Sequence, residues 1–274
     1  MNELLDNPAV QAGVAPFITA LVVAVLMRRT RLSGLAIGAG FAAVVFLALG
    51  FSLESLTSVR KMILSGAAAT ILVFLLEAAK VQYKPAISAA LSAAGAAAGV
   101  WVISRVLLQR EMGAALLAGA GTAFYLAMMV ESGNRVGRDT VRGSAAALMF
   151  GLASGALALL GASASLAQVG IAIGASAGAV LLIQMLTGKY APAGWTLALP
   201  ANVVGSLVGL LAVFTGELPW FCLLPTLAIP WATCLVPAGK WPVWLTALLS
   251  ALAALVPMLL AVALAWATAG SSST

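Results

Sequence analysis

Long, nearly uninterrupted apolar runs alternate with short polar or charged segments along the whole chain. The runs fall at residues 9–27, 32–50, 62–79, 86–104, 112–130, 143–162, 165–187, 194–214, 218–236 and 243–267. Most of them approach the ~20 residues that a helix needs to cross a bilayer. They lack the alternating segments of about ten residues that are typical of membrane β-strands. The pattern predicts an all-α polytopic membrane protein with about ten transmembrane helices.

Rare residue types recur at a fixed distance within this pattern. Phe74, Glu77, Pro85, Gly99 and Trp101 recur 140 positions later as Phe214, Glu217, Pro225, Gly239 and Trp241. Residues 36–39 match residues 172–175 at an offset of 136. Matches of this kind indicate an internal duplication.

The duplicated unit contains five apolar runs, so its second copy must enter the membrane in the opposite orientation. The sequence therefore predicts two inverted five-helix repeats related by an axis in the membrane plane. We expect residues 1–131 to form the first repeat and residues 143–274 the second. The polar segment 132–142 is expected to be a cytoplasmic linker.

Composition and charge support a membrane location. Hydrophobic residues make up 63% of the chain and charged residues 8%, with a mean hydropathy of +1.11, which leaves too little polar surface for a soluble globule. The net charge of +6 comes from basic residues clustered at the ends of runs, so membrane orientation explains it better than nucleic-acid binding.

If the N-terminus lies outside, ten basic residues face the cytoplasm and four face out. The ten are Arg28, Arg29, Arg31, Lys80, Lys84, Arg135, Arg138, Arg142, Lys189 and Lys240. This asymmetry predicts a multi-pass inner-membrane protein with both termini outside the cytoplasm. Glu3 and Asp6 precede the first run without any basic residue, so we expect that run to be retained as a span rather than cleaved as a signal.

The residue types needed for several kinds of chemistry are missing from the sequence. It contains no histidine, and its two cysteines, Cys222 and Cys234, lack metal-binding spacing. Walker and G-x-G-x-x-G dinucleotide-binding motifs are also absent. We therefore expect neither an enzyme nor a bound cofactor or metal.

The ninth run is interrupted by prolines and provides most of the candidate solute-binding residues. Internal prolines remove helix hydrogen bonds, and broken helices at membrane depth often build transporter sites. The predicted pore-lining residues are Pro225, Thr226, Pro230 and Trp231, with Pro85 and Ser88 at the equivalent place in the first copy and Asn202 in the eighth run. The alternatives are a proline kink that only shapes packing, and an interhelical hydrogen bond or helix cap made by Asn202.

Two acidic residues occupy equivalent places in the copies. Glu77 and Glu217 are candidates for coupling or gating, because carboxylates in a membrane are costly and often functional. Alternatively they are solvated or paired groups at the interface, since Lys80 follows Glu77 at a helix pairing distance.

The segment Asn202 to Gly209, followed by Leu224-Pro225-Thr226-Leu227-Ala228-Ile229-Pro230-Trp231, resembles the pore segment and LPxxTxPF signature of urea transporters. Ala228 stands at the motif's second threonine and Trp231 at its phenylalanine. The resemblance implies inverted five-helix halves and a narrow pore for a small neutral solute beside Leu224, Pro225, Pro230 and Trp231. The same stretch also resembles small uncharacterised five-helix inner-membrane proteins, which would make this chain a fused pair.

These observations favour a transporter or channel for a small solute, with its site near the midplane between the repeats. A non-catalytic subunit of a larger membrane complex is the main alternative. A lipid-handling protein is a third, and it requires a cleft open to the side of the helix bundle. The expected partners are the lipid bilayer and a solute, and either a second copy or a larger complex.

Overall fold

The computed structural model describes residues 7–50, 56–161, 163–190, 195–216, 218–237 and 241–271. Five of the residues named above lie outside the described residues and have no structural description: Glu3, Asp6, Glu217, Gly239 and Lys240. All regular structure in the described ranges is helical, with no strand. The expected all-α fold class is confirmed.

Nine helices among the described residues are long and apolar enough to cross a membrane, as expected of a polytopic membrane protein. With one shorter helix, α9, they are α1 (Val10–Met27), α2 (Arg31–Leu49), α3 (Ser58–Ala78), α4 (Pro85–Leu108), α5 (Met112–Val136), α6 (Thr140–Leu160), α7 (Ala164–Thr187), α8 (Trp195–Thr215), α9 (Trp220–Thr233) and α10 (Val243–Ser271).

The segment expected to link the two halves is largely helical. Helix α5 continues through its polar end to Val136, and α6 begins at Thr140, where the Asp139 side chain accepts hydrogen bonds from the N–H groups of Val141 and Arg142. Polar residues are compatible with a helix once they lie beyond the hydrocarbon core. The polar end of α5 is therefore held at a fixed angle by the helix itself.

Helix α9 differs from the others in winding as well as in length. Residues Trp220–Leu227 form 3₁₀ turns, and only Ala228–Thr233 are α-helical. Pro225 lacks an N–H and favours such irregular winding. Because a 3₁₀ helix rises ~2.0 Å per residue against 1.5 Å for an α-helix, α9 is about 25 Å long, close to the ~30 Å hydrocarbon core.

Helix α8 lies at the centre of the bundle. Every residue from Trp195 to Ala212 is buried, and the helix packs against α3, α5, α6 and α7. A helix that is apolar around its whole circumference is typical of such a central position. Pro200 lies inside it without ending it.

Helices α6 and α7 form the most extensive pair, and glycines bring their backbones together. A Cβ added at Gly151 would meet the backbone of Gly174, and one at Gly170 would meet the backbone of Gly155. Close backbone approach gives helices in lipid the van der Waals contact that replaces a hydrophobic driving force.

The two halves of the chain do not pack identically. Helix α2 contacts α7 and α3 contacts α8, and in each pair the partners occupy equivalent positions in the two expected repeats. However, α1 packs on α7, whereas the equivalent pair in the other orientation, α6 with α2, shows no comparable packing among the described residues. Likewise α10 packs on α6, but its equivalent, α5 with α1, does not pack to a comparable extent in the described part of the chain.

Segments that carry the basic residues expected to face the cytoplasm meet at one end of the bundle, called the basic end. The Thr196 hydroxyl donates to the Arg31 carbonyl oxygen at 3.0 Å, and the Arg142 guanidinium donates to the Val236 carbonyl. The residues of the basic end are Arg28, Arg29, Arg31, Lys80, Lys84, Arg135, Arg138, Arg142 and Lys189.

The glycine contacts between α6 and α7 predict different effects for two alanine substitutions on α7. We expect Gly170→Ala to cost about 1–3 kcal/mol, because the new methyl group meets backbone that cannot move aside. Gly178→Ala is the control, since its Cβ would make only an ordinary 3.5 Å contact with the Leu148 side chain. Thermal unfolding in detergent measures both; equal midpoints would contradict the predicted difference.

Candidate functional site

A polar cleft of about 130 Å³ opens at the basic end, where α3, α5 and α8 meet the loop before α4. It combines acidic, amide, guanidinium and aromatic side chains, which helix ends bring together from distant parts of the chain. Its polar and aromatic lining residues are Arg31, Glu77, Tyr83, Asn134, Arg138 and Trp195.

Glu77 connects the end of α3 to the start of α8. Its side chain is only 7% exposed, and Oε1 accepts a hydrogen bond from the Trp195 backbone N–H at 2.9 Å. A carboxylate is favoured there because the first N–H groups of a helix are unpaired and carry partial positive charge. The pairing expected with Lys80 is not formed; Lys80 is exposed, with φ of 51° just after α3.

The second oxygen of Glu77 lacks the contact that the first one makes. Oε2 is buried and has no hydrogen-bond partner among the described residues. The Oδ1 atom of Asn134, which lines the same cleft, is also buried without a partner in the described part of the chain. Both atoms are acceptors, and the guanidinium donors of the cleft, Arg31 and Arg138, make no hydrogen bond to either of them. Burial makes an unpaired acceptor costly.

An aromatic and guanidinium stack forms one wall of the cleft. The rings of Tyr83 and Trp195 lie nearly parallel, 16° apart, with centroids separated by 4.7 Å. The Arg138 guanidinium lies 3.6 Å from the Tyr83 ring centroid, a favourable cation–π distance. The stack fixes the loop before α4 against the start of α8.

A hydrogen-bonded network of Ser88, Glu131, Ser92 and Arg135 holds the Asn134 side chain. The Ser88 hydroxyl donates to Glu131 Oε2 at 2.6 Å and accepts from Asn134 Nδ2 at 3.3 Å. Glu131 also accepts from Arg135 Nε at 2.7 Å and from Ser92 at 3.3 Å. Ser88, one of the expected site residues, therefore holds the Asn134 amide through its nitrogen, and Oδ1 keeps no partner among the described residues.

Asn202 lies one helical turn beyond Ala198, a lining residue of the cleft. Its Nδ2 donates to the Ala198 carbonyl at 2.6 Å, and its amide packs directly on the backbone of Gly133. The alternative for Asn202 was an interhelical hydrogen bond or a helix cap; the structure shows a close approach to α5 and a hydrogen bond that stays within α8.

Thr226 on α9 makes a buried polar contact with α5. Its hydroxyl lies 2.8 Å from that of Tyr125 on α5, and both residues are buried. Ser206, one turn after Asn202 on α8, lies close to the same Tyr125 hydroxyl. Because residues spaced by four share a helix face, Ala198, Asn202 and Ser206 form a row along α8 that leads from the cleft toward this pair.

The remaining expected site residues lie elsewhere. Pro85 is the exposed first residue of α4, where its missing N–H costs nothing. Pro225 and Pro230 belong to α9 and do not line the cleft, and Trp231 is 44% exposed. The structure therefore brings Glu77, Ser88 and Asn202 to the cleft region and leaves the three α9 residues outside it.

Sequence reasoning missed Asn134, Tyr83, Arg138 and Trp195 as site residues. Asn134 and Arg138 lay within the expected linker, where polar residues need no special explanation. The sequence did contain one indication of a shared helix face: Glu131, Asn134 and Arg138 follow a helical spacing of three and four. Tyr83 and Trp195 meet only through the tertiary structure.

The described residues contain no group of three or more histidine, cysteine or acidic side chains that could hold a metal ion. Comparison with protein-family models, with curated proteins and with solved structures gives no match for this chain. The chemistry of the cleft therefore rests on the geometry given above.

The contact between Gly133 and Asn202 predicts a coupled pair of substitutions. Gly133→Ala places a methyl group against the Asn202 amide, with Oδ1 at 2.8 Å, and should cost about 1–3 kcal/mol. Asn202→Ala removes the obstruction, so Gly133→Ala should cost at least ~1 kcal/mol less in that background. Thermal unfolding of the four proteins in detergent measures the coupling; strictly additive effects would contradict the contact.

Proposed function

We propose that the protein is a membrane transporter or channel for a small solute that carries N–H donors, with the polar cleft as one end of its path. The observation that carries the proposal is a pair of buried acceptors, Glu77 Oε2 and Asn134 Oδ1, that belong to two residues lining one cleft and have no partners among the described residues. A solute with N–H groups supplies the donors that they lack.

The other lining groups suit the same kind of solute. Arg31 and Arg138 provide N–H donors for a carbonyl oxygen, and the Tyr83–Trp195 stack provides a flat wall. A cleft of about 130 Å³ suits a small solute. Urea combines these properties and is the probe of choice, in agreement with the sequence resemblance.

We place the path along the row of Ala198, Asn202 and Ser206 on α8, called the polar row after its two polar members. The path ends at the Tyr125–Thr226 pair. Support comes from the position of α8 at the centre of the bundle, away from lipid. The proposed topology puts the basic end in the cytoplasm and both termini outside, following the charge asymmetry. The proposed inverted repeat puts the contacts of α2 with α7 and of α3 with α8 on its axis.

A purely structural role for Glu77 is the competing explanation, because Oε1 already caps α8. The two roles use different oxygens and can be separated. Glu77→Gln keeps an acceptor for the Trp195 N–H but replaces the second oxygen by an NH₂ donor. A cap tolerates this exchange, whereas a binding site that needs two acceptors does not.

We expect Glu77→Gln to reduce urea flux into proteoliposomes about tenfold while leaving the unfolding midpoint near that of the wild type. The matched control is Glu111→Gln, an exposed carboxylate just before α5 at the opposite end of the bundle. Unchanged flux in Glu77→Gln would exclude its second oxygen from the path. Wild-type protein that passes neither urea, glycerol nor formate above empty liposomes would overturn the transport proposal and favour the membrane-subunit alternative.

Asn202 and Pro225 test the path beyond the cleft. We expect Asn202→Ala and Pro225→Ala to lower flux without preventing membrane insertion, since Asn202 lies in the polar row and Pro225 precedes Thr226 in α9. Flux per inserted protein is the measurement. If both variants match the wild type, the path does not follow α8 and α9.

A further inference from the structure

A second, larger cleft lies between α3 and α4, with α8 as its floor. It has a volume of about 360 Å³, and its lining includes Leu64, Ala68, Leu72, Ala94, Gly95 and Leu199. Helices α3 and α4 are consecutive and carry small residues at facing positions, which would permit close packing. They nevertheless contact each other little and leave the space open.

The position of this cleft exposes it to lipid rather than to water. Its lining residues come from the middle of α3 and α4, and Leu72 at its edge is 37% exposed. At that depth a bilayer contains hydrocarbon, and an apolar cavity does not hold ordered water. An acyl chain is therefore the ligand whose chemistry matches the walls.

A buried positive charge marks one end of the cleft. Lys61, near the start of α3, is 7% exposed; its Nζ donates to the Trp101 carbonyl at 3.0 Å and to Ser104 Oγ at 2.7 Å. It also lies 5.3 Å from the Trp101 ring centroid, and Trp101 lines the cleft.

No carboxylate pairs with Lys61 among the described residues. An ammonium group has three donors and the structure uses two of them. Burial of a charge is costly unless an opposite charge compensates it. The end of the cleft near Lys61 therefore has a donor and a charge to offer to an anion.

We propose that the α3–α4 cleft binds one anionic phospholipid, with an acyl chain between the helices and its phosphate at Lys61. Arg105, one turn after Trp101 on α4, adds a second positive charge near the headgroup. The site lies at the end of the bundle opposite the basic end and shares no lining residue with the polar cleft, so it does not depend on the proposed transport function.

The test measures lipids retained by the detergent-purified protein, using phosphatidylglycerol and phosphatidylcholine with identical acyl chains. We expect the wild type to retain phosphatidylglycerol about fivefold more than phosphatidylcholine, as one lysine contact implies. Lys61→Met keeps the apolar stem but removes the ammonium, and should abolish the preference. Lys189→Met, an exposed lysine at the basic end, is the control and should keep it.

A second variant tests the cleft without touching the charge. Ala94→Phe fills the open space, so it should reduce retention of both lipids while the protein remains folded. Equal retention of the two lipids by the wild type, or an unchanged preference in Lys61→Met, would overturn the proposal. Efficient disulfide cross-linking of two copies through Ala94→Cys in a bilayer would also overturn it, because a second copy would then occupy the cleft.

Discussion

The burial of α8 constrains the rest of the structure. A helix with no lipid-facing side must satisfy every polar side chain from within the protein, because hydrocarbon supplies no hydrogen bonds. The Trp195 N–H meets Glu77, Thr196 meets the Arg31 carbonyl and Asn202 meets Ala198. The first two of these contacts determine which ends of α3 and α2 lie against the start of α8, whereas the third stays within α8. The polar cleft forms where two buried acceptors, Glu77 Oε2 and Asn134 Oδ1, have no hydrogen-bond donor among the described residues.

Helix α3 carries both charged side chains that are buried among the described residues, Lys61 and Glu77. Each opposes the dipole of its own helix, since the ammonium lies near the N-terminus and the carboxylate near the C-terminus. Neighbouring antiparallel helices compensate both. Glu77 meets the N-terminal end of α8, and Lys61 meets a carbonyl in the C-terminal third of α4. The same helix therefore carries Glu77 of the polar cleft at the basic end and Lys61, beside the α3–α4 cleft, at the opposite end.

The fold class and nearly all helices could be predicted from the sequence, because long apolar runs leave few alternatives to a membrane helix. The separation of α6 from α7 was also readable. The helical polar end of α5 could not be predicted, because a run of polar residues has the same sequence pattern in a loop and in a helix that extends beyond the membrane. The sequence singled out Ser88 and Asn202 as polar candidates, but their partners Glu131, Asn134 and Gly133 depend on how α5 rotates against α4 and α8. Pro85 lies at the first position of α4, where a proline leaves the winding of the helix intact, so the sequence alone could not tell a broken helix from a helix start there.

The 3₁₀ winding of α9 has a consequence for how the bundle opens. Its first eight residues form hydrogen bonds of poorer geometry than an α-helix allows, and prolines at 219, 225 and 230 withhold three amide protons. The element packs mainly on α10 and α6, away from α1 to α4. Such a segment has a lower free energy of local unfolding than the glycine-paired helices beside it. Amide exchange in a bilayer should therefore begin at α9, which makes this element the first cooperative unit to separate from an otherwise rigid bundle.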